Sequence, residues 1–113
     1  TGSASWYILT ILTQVFGVRG HYGDLLLAPK LMENDFRVSG EVSAETRFAD
    51  KKIKVVYRNR KRISYEHYFI SKVLLNDREL KSLELNKKDV LIPKEAIRKL
   101  SGKRLNTLVV TLE

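Results

Sequence analysis

The sequence predicts a mainly β fold, an antiparallel β-sandwich or jelly roll preceded by one buried α-helix and carrying a short helix near residues 93–100. Three observations lead there. From Val42 to Arg58, apolar and polar residues alternate with period two on either side of a turn at Ala49-Asp50-Lys51, the pattern of a hairpin with one buried and one wet face. Turn-forming residues recur from Gly17 onward and leave room only for short strands, with no strand–helix alternation, internal repeat or low-complexity stretch. Thr1 to Val18 contains no charged residue, and its polar positions recur with a helical period.

The opening helix is expected from about Ser3 to Phe16, roughly 21 Å long at 1.5 Å per residue. Ser3 or Thr1 can accept a hydrogen bond from an orphan first-turn N–H, and Gly17 supplies a left-handed stop. Ser3, Thr10 and Gln14 form one narrow polar stripe, with Thr13 at its edge. Ala4, Tyr7, Ile8, Ile11, Leu12 and Val15 cover one flank, and Leu9 and Phe16 the other. That apolar arc is wider than a helix lying on one core requires. Two readings follow: a helix cut from a larger core, or the central helix of this domain covered by one sheet. A membrane span is not expected, because glycines, threonines, serines and Gln14 interrupt the stretch, and the basic region of a secretory signal is missing. The chain begins without methionine inside this element, so a fragment of something longer is expected.

Gly17 to Asp24 is glycine-rich and predicts a loop, followed by a short strand over Leu25-Leu26-Leu27-Ala28 that Pro29 halts. Residues 30–35 connect to a short strand from Phe36 to Ser39. Val42, Ala44, Thr46 and Phe48 point one way on the next strand; Ile53, Val55 and Tyr57 do so on its antiparallel partner. After a turn at Asn59-Arg60-Lys61-Arg62, the run from Tyr65 to Leu75 changes phase at Ser71-Lys72, which predicts a bulge between two short strands. Asn76-Asp77 reverses the chain into Arg78-Glu79-Leu80. Val90-Leu91-Ile92 predicts a strand ending at Pro93, the first residue of an amphipathic helical segment through Leu100. Ser101-Gly102 closes that turn, and Asn106 to Leu112 is the last strand.

The chain of 113 residues, 43% hydrophobic, suffices for one packed core. The absence of cysteine rules out disulfides, thiolate catalysis and Cys-based zinc sites, and agrees with a reducing, cytoplasmic setting. Two histidines make a metal site a poor expectation; His21 lies in a glycine-rich loop and His67 in a strand, each without a partner nucleophile. Asp24, Glu33, Asp35, Glu41 and Glu45 read as solvated surface charges rather than a catalytic pair. The net charge of +8 is unevenly spread: residues 1–50 hold four basic and six acidic groups, residues 51–113 seventeen and seven. Lys51, Lys52, Lys54, Arg58, Arg60, Lys61 and Arg62 concentrate the excess, with Tyr57, Tyr65 and Tyr68 nearby. Such a stretch suits a polyanion, single-stranded nucleic acid included, but lysines on a strand face also guard against edge pairing and the tyrosines fit a core pattern, so nucleic acid is the least favoured partner.

Thr1-Gly2-Ser3-Ala4-Ser5-Trp6-Tyr7, then Gly17-Val18-Arg19, Gly23-Asp24-Leu25 and Pro29-Lys30-Leu31 resembles the C-terminal end of the cellobiose phosphorylase family. These are the inverting disaccharide phosphorylases of glycoside hydrolase family 94, formerly glycosyltransferase family 36. The resemblance runs along the whole chain, with specific motifs confined to about its first thirty residues. Many members continue with an Ile-Pro-x-x-Trp segment; Leu31-Met32-Glu33-Asn34-Asp35-Phe36 stands in its place, which points toward the branch containing β-1,2-oligoglucan phosphorylases.

The resemblance implies a large enzyme in which an α/α barrel carries the active site and a C-terminal jelly roll packs beneath it. The opening helix, residues 1–17, would be the last helix of the barrel domain, and residues 18–113 would form the C-terminal β-sandwich domain. Thr1 and Gly2 match the family's phosphate-binding pair, at a helix N-terminus whose free N–H groups and dipole favour an anion. Inorganic phosphate would be the co-substrate, with no cofactor and no metal, and the catalytic acid would lie upstream, outside these residues. The expected partners are the upstream barrel of the same polypeptide, an oligosaccharide and phosphate; no membrane is expected, and a homodimer is left open. The expected activity is cleavage of a β-linked glucosyl di- or oligosaccharide by phosphate, with the chain alone structural and inactive. The competing reading is a non-catalytic carbohydrate-binding β-sandwich, which predicts an exposed row of aromatic rings.

Overall fold

The computed structural model describes residues 15–32, 35, 36 and 39–113. The predicted helix therefore lies outside the described residues except for its last two positions, as do Thr1, Gly2 and Glu33.

Three hairpins share one turn chemistry. Strands β1 (Val18–His21) and β2 (Asp24–Leu27) are joined by Tyr22-Gly23, which corrects the loop expected over Gly17 to Asp24: its glycines mark one tight turn, and the residues before it pair with β2. Strands β3 (Glu41–Phe48) and β4 (Lys51–Arg58) are joined by Ala49-Asp50, and β5 (Ile70–Leu75) and β6 (Arg78–Glu79) by Asn76-Asp77. All six turn residues have positive φ, from 50° to 88°, as the two-residue turn matching the twist of paired strands requires. Ala49, at φ 50°, is the least suited to that region. Replacing Ala49-Asp50 by Asn-Gly is expected to raise stability by about 1 kcal/mol, read from the urea midpoint. An unchanged or lower midpoint would show that this turn is not strained.

Strand β7 (Val90–Ile92), helix α1 (Lys94–Arg98) and strand β8 (Leu105–Leu112) complete the described elements. Pro93 stands at the N-cap with extended ψ of 142°, so the helix starts one residue later than expected and ends before Leu100. Its first N–H is capped from another element, Lys94 N donating to Asp24 Oδ1 at 2.8 Å.

The strands form two sheets, in the orders β1-β2-β7 and β3-β4-β8-β5-β6. Within the larger sheet β8 runs parallel to β4, from Lys52 beside Leu105 to Arg58 beside Thr111, and antiparallel to β5. The purely antiparallel expectation is corrected here. A parallel neighbour needs a long crossover, and the chain leaves β4, builds β5 to β7 and α1, and only then inserts β8 at the centre of the sheet. The predicted bulge is present as a register shift between Ile70 and Lys72. Tyr65 to Phe69, expected to be strand, is irregular: the N–H groups of His67 and Tyr68 both donate to Ser64 O, at 2.9 and 3.0 Å, and close a turn. His67 is therefore in a turn, not a strand. Phe36 and Ser39, the described ends of another predicted strand, lie in a bend and a turn; residues 37 and 38 fall outside the described set.

Both sheets contribute to one core. Leu25, Leu27 and Ile92 from the smaller sheet and Ile53, Val55, Tyr57, Val73, Leu108 and Val110 from the larger are buried in one cluster, which Ile97 of α1 joins. The alternation along β3 and β4 thus reads as predicted, with Lys52, Lys54 and Arg58 on the outer face. Asn106, 2% exposed, fastens the start of β8 to its surroundings, donating from Nδ2 to the carbonyls of Lys52, Ser101 and Arg104 and accepting at Oδ1 from Asn76 Nδ2. Among the described residues no helix is long and apolar enough to cross a membrane.

Candidate functional site

The conspicuous chemistry is a pair of buried tyrosines that hold the first part of the chain against the β core. Tyr57 comes from β4, where alternation turns it inward; its hydroxyl donates to Phe16 O at 2.5 Å, and the two rings meet with centroids 5.9 Å apart. Tyr68 sits just before β5; its hydroxyl donates to Pro29 O at 2.8 Å and accepts from Leu31 N at 3.1 Å. Neither tyrosine retains exposed surface. Backbone bonds from Ala28 N to Gly17 O and from Lys30 N to Val15 O lace the same segments together at 3.0 and 2.9 Å. The residues that follow the opening stretch are thus tied down from two sides.

Burial dominates the electrostatics of these phenols. It drives the Tyr57 hydroxyl far above its ordinary range, with Tyr68 adding to the shift, and pushes the Tyr68 hydroxyl up to about 12. The Leu31 N–H, which favours the phenolate, offsets part of the Tyr68 shift, while Tyr65 and Asp35 reinforce it. A phenol raised in the fold keeps its stabilising contribution below the unfolded value of 10.0 and loses it as pH climbs toward the folded value. Urea midpoints are therefore expected to fall steeply between about pH 10 and 12. In Tyr68→Phe the part of that slope due to Tyr68 is expected to vanish; an equal slope in wild type and variant would contradict the assignment.

Lys88 completes the surroundings of Tyr68. Its ammonium lies 4.9, 5.1 and 4.9 Å from the ring centres of Tyr65, Tyr68 and Phe69, and it donates to the carbonyls of Tyr65 and Tyr68. Five favourable contacts on one cation fix the irregular stretch before β5. The sequence offered no sign of this beyond a polar patch around residue 88.

The other candidate residues do not converge. Thr1 and Gly2 lie outside the described residues. Asp24 caps α1, Asp35 accepts from Met32 N at 2.7 Å, and Glu41 pairs with Arg58 at 2.6 Å across the β3–β4 hairpin. Glu45 is exposed on β3. His21 is exposed and stacks edge-on against Tyr22 at 4.8 Å; His67 is exposed in its turn. No group of three or more metal-ligating side chains occurs among the described residues. The basic stretch is split: Lys52, Lys54 and Arg58 lie along the outer face, while Arg60 and Lys61 cap one end of the sheet. Exposed aromatic rings among the described residues are Tyr22, in the β1–β2 turn, and Phe69, ahead of β5, which do not form a row.

Comparison of the chain with protein-family models and with curated proteins gives no match.

Proposed function

We propose that the chain is the C-terminal β domain of an inverting glycoside phosphorylase, a jelly-roll-type sandwich that carries no catalytic group of its own and seats the end of an upstream α/α barrel. The observation that carries this reading is the pair of tyrosine hydroxyls clasping Phe16 O and Pro29 O, on either side of the segment that bears the family-like Gly17-Val18-Arg19 and Gly23-Asp24-Leu25 motifs. A β core that spends two buried hydroxyls on that segment suits a domain whose task is to hold it in place. The mainly β, two-sheet architecture and the positive φ of Gly17, 66°, agree with the motif reading.

In the proposed enzyme, phosphate held by the Thr1 hydroxyl and the Gly2 backbone attacks the anomeric carbon of a β-linked glucosyl unit. The glycosidic C–O bond breaks, and an upstream carboxylic acid gives its proton to the departing oxygen. Phosphate takes the place that water has in an inverting hydrolase, and no cofactor is needed. A cytoplasmic setting fits the cysteine-free sequence.

The carbohydrate-binding alternative is disfavoured because Tyr57 and Tyr68 are inside and the exposed rings are scattered. Calorimetric titration of the 113-residue chain with β-linked gluco-oligosaccharides is expected to show no heat of binding and no sugar phosphate formation. Measurable sugar affinity would sink the proposal in favour of a binding module.

A further inference from the structure

We infer that the end of the larger sheet carries a binding site for a phosphate monoester, independent of the phosphorylase reading. Arg58 at the end of β4, Lys72 in β5 and Thr111 in β8 occupy one row across the outer face, since Thr111 registers with both Arg58 and Lys72. With Arg60, Lys61 and Glu113 they line a cavity of ≈ 300 Å³, at the lower end of the range for small-ligand pockets.

The backbone that presents these side chains is fixed. The loop presenting Arg60 and Lys61 is closed by Asn59, which is fully buried; its Nδ2 donates to Ile63 O at 2.7 Å and its Oδ1 accepts from Ile63 N at 2.9 Å. Gly40, at φ 76°, lets the chain pass so close that a Cβ there would stand 2.9 Å from the Arg60 Cα, and Asn59 N donates to Gly40 O at 2.7 Å. Glu113 is fixed by a reciprocal pair of backbone bonds with Phe69, at 2.8 and 2.9 Å.

Charge selects the ligand. Arg58 is already paired with Glu41 at 2.6 Å, whereas no carboxylate among the described residues is within ion-pair distance of Arg60, Lys61 or Lys72. Three free cations outnumber the carboxylates of Glu113, so the site keeps an excess of positive charge. A phosphate monoester carries about −1.5 to −2 at neutral pH and offers three acceptor oxygens, matching the sign of that charge and the number of free cations. A long polyanion would instead draw on Lys52 and Lys54 in the other rows of the same face, where Glu45 lies opposite Lys54.

The test is a titration of the isotopically labelled chain with glycerol phosphate at low salt, followed by amide chemical shifts. Shifts are expected to concentrate at Arg60, Lys61, Lys72 and Thr111. Lys61→Gln combined with Lys72→Gln, both exposed, is expected to weaken binding about tenfold, while Lys52→Gln with Lys54→Gln changes it less than about twofold. Methyl sulfate, a monoanion of similar shape, is expected to bind more weakly. Absent shifts, shifts spread evenly over all cationic positions, or equal losses in the two double variants would overturn the site. So would a single-stranded oligonucleotide that binds more tightly and loses equally in both double variants, since the face would then be a polyanion surface.

Discussion

Gly17→Ala is expected to lower stability by about 3 kcal/mol or more, the largest effect expected of a glycine-to-alanine change among the described residues. Two causes add. Gly17 has φ 66°, where an L-residue pays about 1–2 kcal/mol. The new methyl would also stand 2.0 Å from Ala28 O and 2.2 Å from Ala28 C, so the backbone itself must move. The movement would break the Ala28 N to Gly17 O bond and strain the neighbouring bond from Lys30 N to Val15 O, releasing the segment that the tyrosines hold. Gly102→Ala is the control: its Cβ would meet nothing nearer than Asp50 O at 4.0 Å, and its cost is expected within about 0.5 kcal/mol. Equal urea midpoints for the two variants would refute the close packing of Gly17 against Ala28.

The second large effect is at Tyr68. Tyr68→Phe keeps the ring but leaves Leu31 N–H and Pro29 C=O, both on buried residues, without their partner; unsatisfied groups of this kind cost about 1–3 kcal/mol each. Tyr68→Ala adds a core void to that loss and is expected to cost about 4 kcal/mol or more. Against a total of about 5–15 kcal/mol for an ordinary domain, the alanine variant should lose between about a quarter and most of its stability. Hydrogen exchange separates a local role from a global one. In Tyr68→Phe the Leu31 amide is expected to lose protection by a larger factor than the central-strand amides of β8. Unchanged protection at Leu31 would mean that the hydroxyl does not hold the segment.

Local pattern carried much of the β architecture. The alternation flanking the turn placed β3 and β4 within a residue of their observed bounds, but Lys51, expected in the turn, opens β4 and pairs with Phe48, and this two-residue turn is what sets Glu41 opposite Arg58. The bulge at Ser71-Lys72 was visible as a change of phase, because a one-residue insertion moves every later side chain to the other face. What pattern cannot convey is which strands meet after a long excursion. β8 reads as an ordinary last strand, and nothing in its own residues says that it lies parallel to β4 at the sheet's centre.

The same limit applies to the candidate site. Period two assigned Tyr57 to the core, but not the partner of its hydroxyl, which is 41 residues away in the chain. The irregular path of Tyr65 to Phe69 was missed because it depends on Lys88, whose ammonium meets three rings from a distant loop. Asn59 and Asn106 read as turn and strand-edge polar residues; their burial follows from carbonyls that only the assembled fold brings within reach.

The central proposal, a β domain serving an inverting glycoside phosphorylase, is tested most directly by the product of the polypeptide in which this chain follows its upstream barrel. Incubated with a β-linked gluco-oligosaccharide and inorganic phosphate, that protein is expected to release glucose 1-phosphate as the α-anomer, seen by phosphorus and proton NMR. Thr1→Val, which removes the proposed phosphate-binding hydroxyl, is expected to cut the rate by about 100-fold. Sugar release that does not require phosphate, a β-anomeric product, or full activity in Thr1→Val would each contradict the account.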